Sequence, residues 1–311
     1  MAYDTVIIGA GIAGCTAAIY ASRKRMKFAL ITEKFGGQFL ESSQVLNYPG
    51  IKQTTGVEFS MLMREQLEFN NVKAEEGAAA KQIVKKGRHF IVRTNKKSYE
   101  TKTVIIATGA RARELNVPGE QKLRKKGVTY CAICDGPLFK GRKVIIVGGG
   151  NSAVTEALHL HNIGVQVTMV HRRDTLRAQE HLTKNLSVNK IPVLFDTEVK
   201  EIRGKDRVEE VLLYNLRTKE TKTMKVDGVF IAIGYTPAVE LAKKLGIELT
   251  PEGYIKRDSR HRTNIPGIYS AGDVEGGYKQ IVTATGQGAE AALAIFENLV
   301  NPYWKSKQAA A

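Results

Sequence analysis

The sequence predicts an α/β protein built from two three-layer ββα units, the second inserted in the first. Three observations carry this. A strand, a glycine-rich turn, a helix and a second strand occur in that order twice, at Gly9 and again 139 residues on at Gly148. The chain has 311 residues, about two domains at roughly 150 residues each. After Pro237 only one strong strand and one long helix remain, too little for a third domain, so this tail is expected to complete the first unit. Hydrophobic residues make up 43% and charged residues 25%, enough apolar material for two cores, which excludes a disordered chain.

Each element follows from local pattern. Residues 4–8 are a β-branched apolar run and read as a strand. Gly9-Ala10-Gly11-Ile12-Ala13-Gly14 makes the turn, and residues 15–24 read as a helix with a face of small residues. A second strand spans 28–32 and ends at Glu33. Turns follow at Phe35-Gly36-Gly37-Gln38 and Asn47-Tyr48-Pro49-Gly50, then a helix over Gly56–Phe69, then strands and charged turns over 72–101. The strand 104–107 runs into Thr108-Gly109, and Pro118-Gly119 breaks the chain. The second unit repeats the plan. Lys143–Val147 is a strand, Gly148-Gly149-Gly150-Asn151-Ser152-Ala153 the turn, 154–162 a helix and 165–170 a strand, with His171-Arg172-Arg173 where the first unit has Glu33. It closes with an apolar strand ending in Ile233-Gly234. The tail holds a strand ending at Gly272-Asp273 and a helix over about 280–299. The expected division is 1–117 with 244–311 for the first domain and 118–243 for the second.

Both turns have the chemistry of a dinucleotide site, which makes the units Rossmann-like. The first glycine permits a tight strand-to-helix turn, the second lets backbone approach a pyrophosphate, and the third position must be small so that helix and strand pack. The helix N-terminus then offers N–H groups and a positive dipole end to phosphate. Glu33, 19 residues after Gly14, suits a ribose 2′-hydroxyl, as in FAD or NAD. His171, Arg172, Arg173 and Arg177 suit a ribose 2′-phosphate, which points to NADPH at the second turn; the plainer alternative for Arg172 and Arg173 is surface charge.

Cys131-Ala132-Ile133-Cys134-Asp135 admits three readings: a redox disulfide, half a zinc site, or two unrelated buried thiols. Zinc needs two further ligands, and Cys15, in the first helix, reads better as a small core residue. Thiol–disulfide exchange fits better, because the two-residue spacing lets one thiol resolve the other's mixed disulfide. Asp135 is then a candidate general acid and base, or else a turn residue before Gly136-Pro137. His159 and His161 are readable as surface or core; His89, His181 and His261 read as surface groups; Trp304 reads as a packing anchor and 308–311 as a frayed tail.

The net charge is +16, but the cations are spread along the chain without aromatic interleaving, so a solvated basic surface is favoured over a nucleic-acid site. Such a charge attracts acidic partners and anionic cofactors. No apolar run approaches the ~20 residues of a membrane span, and the first residues lack the basic start and cleavage site of a signal peptide. A soluble cytoplasmic protein without membrane or nucleic-acid partners is expected.

With both turns and the Cys131–Asp135 motif in view, the sequence resembles the low-molecular-weight thioredoxin reductases, and is similar to the flavoprotein portion of the F-type subunits of alkyl hydroperoxide reductase. The resemblance runs from Tyr3 to about Val300 through the landmarks above. It implies FAD in the first domain, with Gly9, Gly11 and Gly14 at the pyrophosphate, Glu33 at the ribose, Asp273 at the ribityl chain, and Gln38, Asn47 and Gln280 near the flavin. Gly37, Thr108, Gly109 and Ile281 belong to the same cofactor-binding set. For NADPH it implies Gly148, Gly150, Asn151, Ser152, His171, Arg172, Arg173, Arg177, Ile233 and Gly234. Electrons would pass from NADPH through FAD to a Cys131–Cys134 disulfide and on to a thioredoxin- or glutaredoxin-like protein, with Cys134 facing the flavin, Cys131 attacking the external disulfide and Asp135 protonating the leaving thiolate. A homodimer is implied, with rotation of the inserted domain about hinges near 113–119 and 234–237. The alternatives within enzymes are a reductase of peroxiredoxins and a flavin-dependent NAD(P)H oxidase.

Overall fold

Alternation along the strands decides how the first unit is layered. In the computed structural model, which describes residues 2–42 and 44–301, Ile7, Leu30 and Ile105 are buried on one face of a parallel sheet. Their neighbours Val6, Ile8, Ala29, Ile31, Val104 and Ile106 are buried on the other. Side chains of a strand point alternately up and down, so continuous apolar runs are needed where both faces are covered. The sheet places Ala74–Glu75, Phe28–Ile31, Tyr3–Ile8 and Ser98–Ile106 side by side. The last strand is shared: its first half pairs antiparallel with His89–Thr94, which pairs with Ala80–Lys86, and its second half pairs parallel with Ile268–Ser270. The helices on the first face are α1 (Ile12–Arg23), α2 (Gly56–Phe69) and, from the tail, α7 (Ile281–Val300), with α1 packed on α7. Thr55 and Glu58 form a capping box at the start of α2, which is why its sequence-read boundary is sharp.

The second unit repeats the arrangement. Val193–Leu194, Gln166–Val170, Lys143–Val147, Gly228–Ile231 and Val128–Thr129 form a parallel sheet in that order. On one face Val144, Ile146, Met169 and Phe230 meet Ala153, Val154, Ala157 and Leu160 of helix α4 (Asn151–Asn162). On the other, Ile145, Val147 and Val229 meet an antiparallel meander, Thr197–Arg203, Glu210–Asn215 and Thr221–Lys225. A short helix α3 (Ala132–Asp135) precedes α4, and α5 (Glu180–Val188) packs on it.

The compact units are 1–111 with 236–311, and 112–235. Both junctions therefore fall earlier than the expected 117/118 and 243/244. The physical reason at the second is helix α6 (Glu240–Leu245): Leu241 and Ala242, with the preceding Val239, are buried in the core of the first unit. The chain passes between units along Ala110–Ala112 and Tyr235–Pro237, which pair as a two-stranded ribbon. Trp304 and 308–311 lie outside the described residues.

Candidate functional site

The turn at Gly9 is tight because side chains are excluded from it. Gly9 has φ +108°, and a Cβ there would lie 2.3 Å from the Ala107 carbonyl oxygen. A Cβ on Gly14 would lie 1.8 Å from the Gly9 oxygen, so helix and turn touch through bare backbone. Gly11 is different: nothing lies within 4 Å of its Cβ position. It is the N-cap of α1, makes no side-chain cap, and no acidic residue stands in the first turn. Open space in front of N–H groups at a helix start fits a phosphate. The Gly36 N–H donates to the Ala10 carbonyl (2.9 Å), and the Cβ position of Gly37 is 3.2 Å from Gly11 Cα, so this loop lies on the turn. Glu33 is exposed just past its strand. Gln38 is exposed. The Asn47 amide donates to Gln280 (3.1 Å), bringing together two residues far apart in sequence, with Ile281 opening α7 beside them. Thr108 donates to the Ala238 carbonyl (2.7 Å), and Gly109 has φ +71°. Burial pushes the Asp273 carboxyl up to about 6 against the pull of Lys279.

The second turn has the same plan. A Cβ on Gly148 would lie 2.7 Å from the Ala153 side chain, so alanine serves as the third small residue. Gly150 caps α4 without a side-chain bond, and its Cβ position is open. His171 is set apart from the cations around it. It is buried, its ring 2.2 Å from the Cβ position of Gly149, and its Nε2 is 3.0 Å from the Thr175 carbonyl. Burial holds its pKa down, against the Thr175 carbonyl and reinforced by Arg177, Arg173 and Arg172. It forms the floor of the turn, while Arg172, Arg173 and Arg177 are exposed around it. Asn151 accepts from the Gln179 N–H (2.8 Å), and the Arg177 N–H donates to the Gly149 carbonyl (2.7 Å), which fixes the cationic loop against the turn. Ser152 is exposed at the start of α4. Ile233 packs on the core two residues past the strand Gly228–Ile231, and the Gly234 carbonyl accepts from the Arg113 N–H (2.9 Å).

Cys131 and Cys134 are joined as a disulfide across α3, with Cα atoms 5.3 Å apart. Cys131 is the N-cap, and its Sγ accepts from the Cys134 N–H (3.2 Å). Both cysteines are partly exposed, and Ile133 and Leu138 present apolar surface nearby. Burial raises the Asp135 carboxyl above its ordinary range, against a hydrogen bond from the Thr129 hydroxyl. A carboxyl shifted upward is suited to holding a proton.

Sequence reading missed Glu156. Burial pushes its carboxyl up to about 7, with the Ala132 N–H, next to Cys131, favouring the ionised form. The signal was a glutamate on the α4 face that otherwise carries Ala153, Ala157 and Leu160. Glu120 was also missed. It is buried and accepts from the Leu115 and Asn116 N–H groups (3.0 and 2.7 Å) and from the Tyr130 hydroxyl (2.7 Å), anchoring the residue before Cys131. Cys15 is a buried free thiol, pushed up to about 12 by burial and therefore inert. His261, read as a surface group, is buried at 1% exposure between two carboxylates.

Comparison with known proteins agrees with this geometry. Residues 3–288 match the family model described as pyridine nucleotide-disulphide oxidoreductase. The chain is 41% identical over 297 residues to a thioredoxin reductase of Bacillus subtilis, covering 94% of this chain and 93% of that one. It is 39% identical over 305 residues to the F-type subunit of alkyl hydroperoxide reductase in Pseudomonas putida, covering 96% of this chain but only 58% of that longer one. The crystal structure of thioredoxin reductase from Streptococcus pyogenes superposes with a TM-score of 0.90 at 43% identity, covering 96% and 98% of the two chains. Two glycine cradles, a disulfide on a short helix and this likeness lead to one conclusion: the chain belongs to the pyridine nucleotide-disulphide oxidoreductase family, whose thioredoxin reductases use FAD and NADPH.

Proposed function

We propose that this protein is an FAD-dependent thioredoxin-disulfide reductase that takes electrons from NADPH and delivers them, through the Cys131–Cys134 disulfide, to a thioredoxin or a similar disulfide protein. The observation that carries the reading is the partly exposed disulfide whose Cys131 Sγ already accepts the Cys134 N–H, with the half-buried Asp135 carboxyl beside it. Gly9, Gly11, Gly14 and Glu33 hold the FAD diphosphate and ribose, with Asp273 at the ribityl chain and Gln38, Asn47 and Gln280 toward the flavin. Gly148, Gly150, Asn151 and Ser152 hold the NADPH diphosphate, and Arg172, Arg173 and Arg177 its 2′-phosphate. Bound there, FAD would supply the two-electron chemistry that links the nicotinamide to the disulfide. Reduction breaks the S–S bond and leaves two thiols. Cys131 then attacks the target disulfide, Asp135 gives its proton to the leaving thiolate, and Cys134 resolves the mixed disulfide, which restores the Cys131–Cys134 bond and releases the target dithiol. A homodimer working in the cytoplasm completes the reading.

Anaerobic titration of the purified protein tests it. A yellow protein bleached by low NADPH, which then turns over with thioredoxin, is expected. A protein that neither NADPH nor NADH reduces would remove the second turn from the reaction. Reduction of an alkyl hydroperoxide system's disulfide instead of thioredoxin is the second reading, favoured by the 39% identity to the Pseudomonas putida protein. Turnover with one target and not the other decides between them.

The nucleotide preference gives a separate prediction. Replacing Arg172 and Arg173 with Ala removes two charge-assisted contacts, each worth about 1.5–3 kcal/mol. The ratio of kcat/KM for NADPH over NADH is expected to fall by roughly 100-fold or more. An unchanged ratio would assign both arginines to the solvated surface.

A further inference from the structure

An ion-pair cluster centred on a buried histidine lies apart from the cradles and the cysteines. His261 has a positive φ of +60° and a side chain 1% exposed. Its Nδ1 lies 2.9 and 3.1 Å from the two carboxylate oxygens of Glu275, and its Nε2 lies 2.9 Å from Glu290. A neutral imidazole has one N–H and one lone pair, so it would turn a lone pair toward one of these carboxylates. The imidazolium has two N–H groups and satisfies both. Glu275 is itself 1% exposed and also accepts from the Ser270 hydroxyl (2.7 Å) and from Arg257 (3.1 Å). The other charges around the ring are paired: Arg260 with Glu297 of α7, and Arg262 with Asp258.

The three parts joined at His261 are the loop 257–262, the turn Asp273–Glu275 and the middle of α7. Two of them carry groups assigned to FAD. Asp273 opens the same turn that contains Glu275. Gln280 and Ile281 open the helix that carries Glu290. Gly272, just before Asp273, has φ +84°, and a Cβ there would lie 2.9 Å from the Ala13 side chain of α1. The turn is thus wedged between the start of α1 and the cluster, with little room to shift.

We propose that His261 is a positioning residue of the FAD site, an imidazolium clamp that locks the Asp273 turn to α7 and so governs how tightly FAD is retained. The inference rests on the reading that the first unit holds FAD. Burial opposes the charge on His261, but Glu275 and then Glu290 outweigh it and raise its pKa above the ordinary 6.5, with Arg257 pulling the other way. A raised folded-state pKa gives a contribution fully present below the unfolded value and lost as pH rises through the folded one. FAD retention should therefore weaken on the alkaline side of neutrality.

The test uses the purified holoprotein and two variants. FAD released at equilibrium is measured by filtration and flavin absorbance from pH 6 to 9, and thermal unfolding is followed in parallel. His261→Gln keeps one amide donor but no charge, and is expected to release FAD about tenfold more readily at pH 6, with the alkaline rise gone. Glu290→Gln removes a charge from a side chain 67% exposed, so the fold is kept, and the rise should move to lower pH because the imidazolium has lost one anion. An alkaline rise that persists unchanged in His261→Gln overturns the clamp. So does a Glu290→Gln profile that coincides with the wild type. A protein that takes up no FAD at any pH overturns the cofactor reading beneath the proposal, and the proposal with it.

Discussion

Cys134→Ser is expected to abolish reduction of a protein disulfide, by about 10³-fold or more, while NADPH still bleaches the flavin. The chemistry requires it. Exchange passes through a mixed disulfide that only a second thiolate can resolve, and serine cannot form or break an S–S bond. The cradles at Gly9 and Gly148 contain neither cysteine, so nucleotide binding and flavin reduction should survive. Cys131, still at the N-cap of α3, should then form a covalent complex with the target that no longer dissociates without added thiol. Stopped-flow bleaching, thioredoxin-coupled turnover and a non-reducing gel give the three readings. A variant that still reduces a protein disulfide would show that electrons reach the target by another route.

Gly14→Ala and Gly11→Ala should fail in opposite ways, although they lie three residues apart in one turn. At Gly14 the new methyl would sit 1.8 Å from the Gly9 carbonyl oxygen, a backbone atom that cannot move aside. Overpacking of this kind costs about 3 kcal/mol or more, so Tm should drop by roughly 6 °C or more and FAD should be lost with the geometry of the turn. At Gly11 the methyl meets no protein atom within 4 Å, and φ is −74°, which alanine adopts freely. The apoprotein should therefore keep its Tm, while FAD affinity falls by on the order of 100-fold because the methyl occupies the pyrophosphate's approach. Flavin-to-protein ratios and melting curves of both apoproteins separate the two effects. Gly11→Ala with full FAD content would move the pyrophosphate away from this turn.

The features behind these outcomes differ in legibility. The glycine turns were readable because their requirement is local: Gly9 and Gly148 have positive φ, and backbone or small side chains crowd their Cβ positions. The strand Lys143–Val147 and helix α2 have their sequence-read ends, the first because a β-branched run meets glycine, the second because Thr55 and Glu58 cap the helix. Helices α1 and α4 begin three residues earlier than read, since Gly11 and Gly150 are their N-caps and the helix already includes the end of the glycine motif. Asp135 was legible from its place beside Cys134; Glu156 was not, because its neighbourhood with Ala132 arises only when α3 packs on α4.

Short windows of sequence already carry the doubled dinucleotide plan, the redox cysteine pair and the opposite charges just past the second strand of each unit. These depend on residues within about thirty positions of one another, whose backbone and charge requirements are short-ranged. The rest comes from packing. It brought Asn47 to Gln280, placed His171 under its turn instead of among the exposed cations, and assigned α6 to the first unit. It also buried His261 between Glu275 and Glu290. Burial and long-range pairing are properties of packed layers, and no window of sequence contains the partner that sets a buried charge.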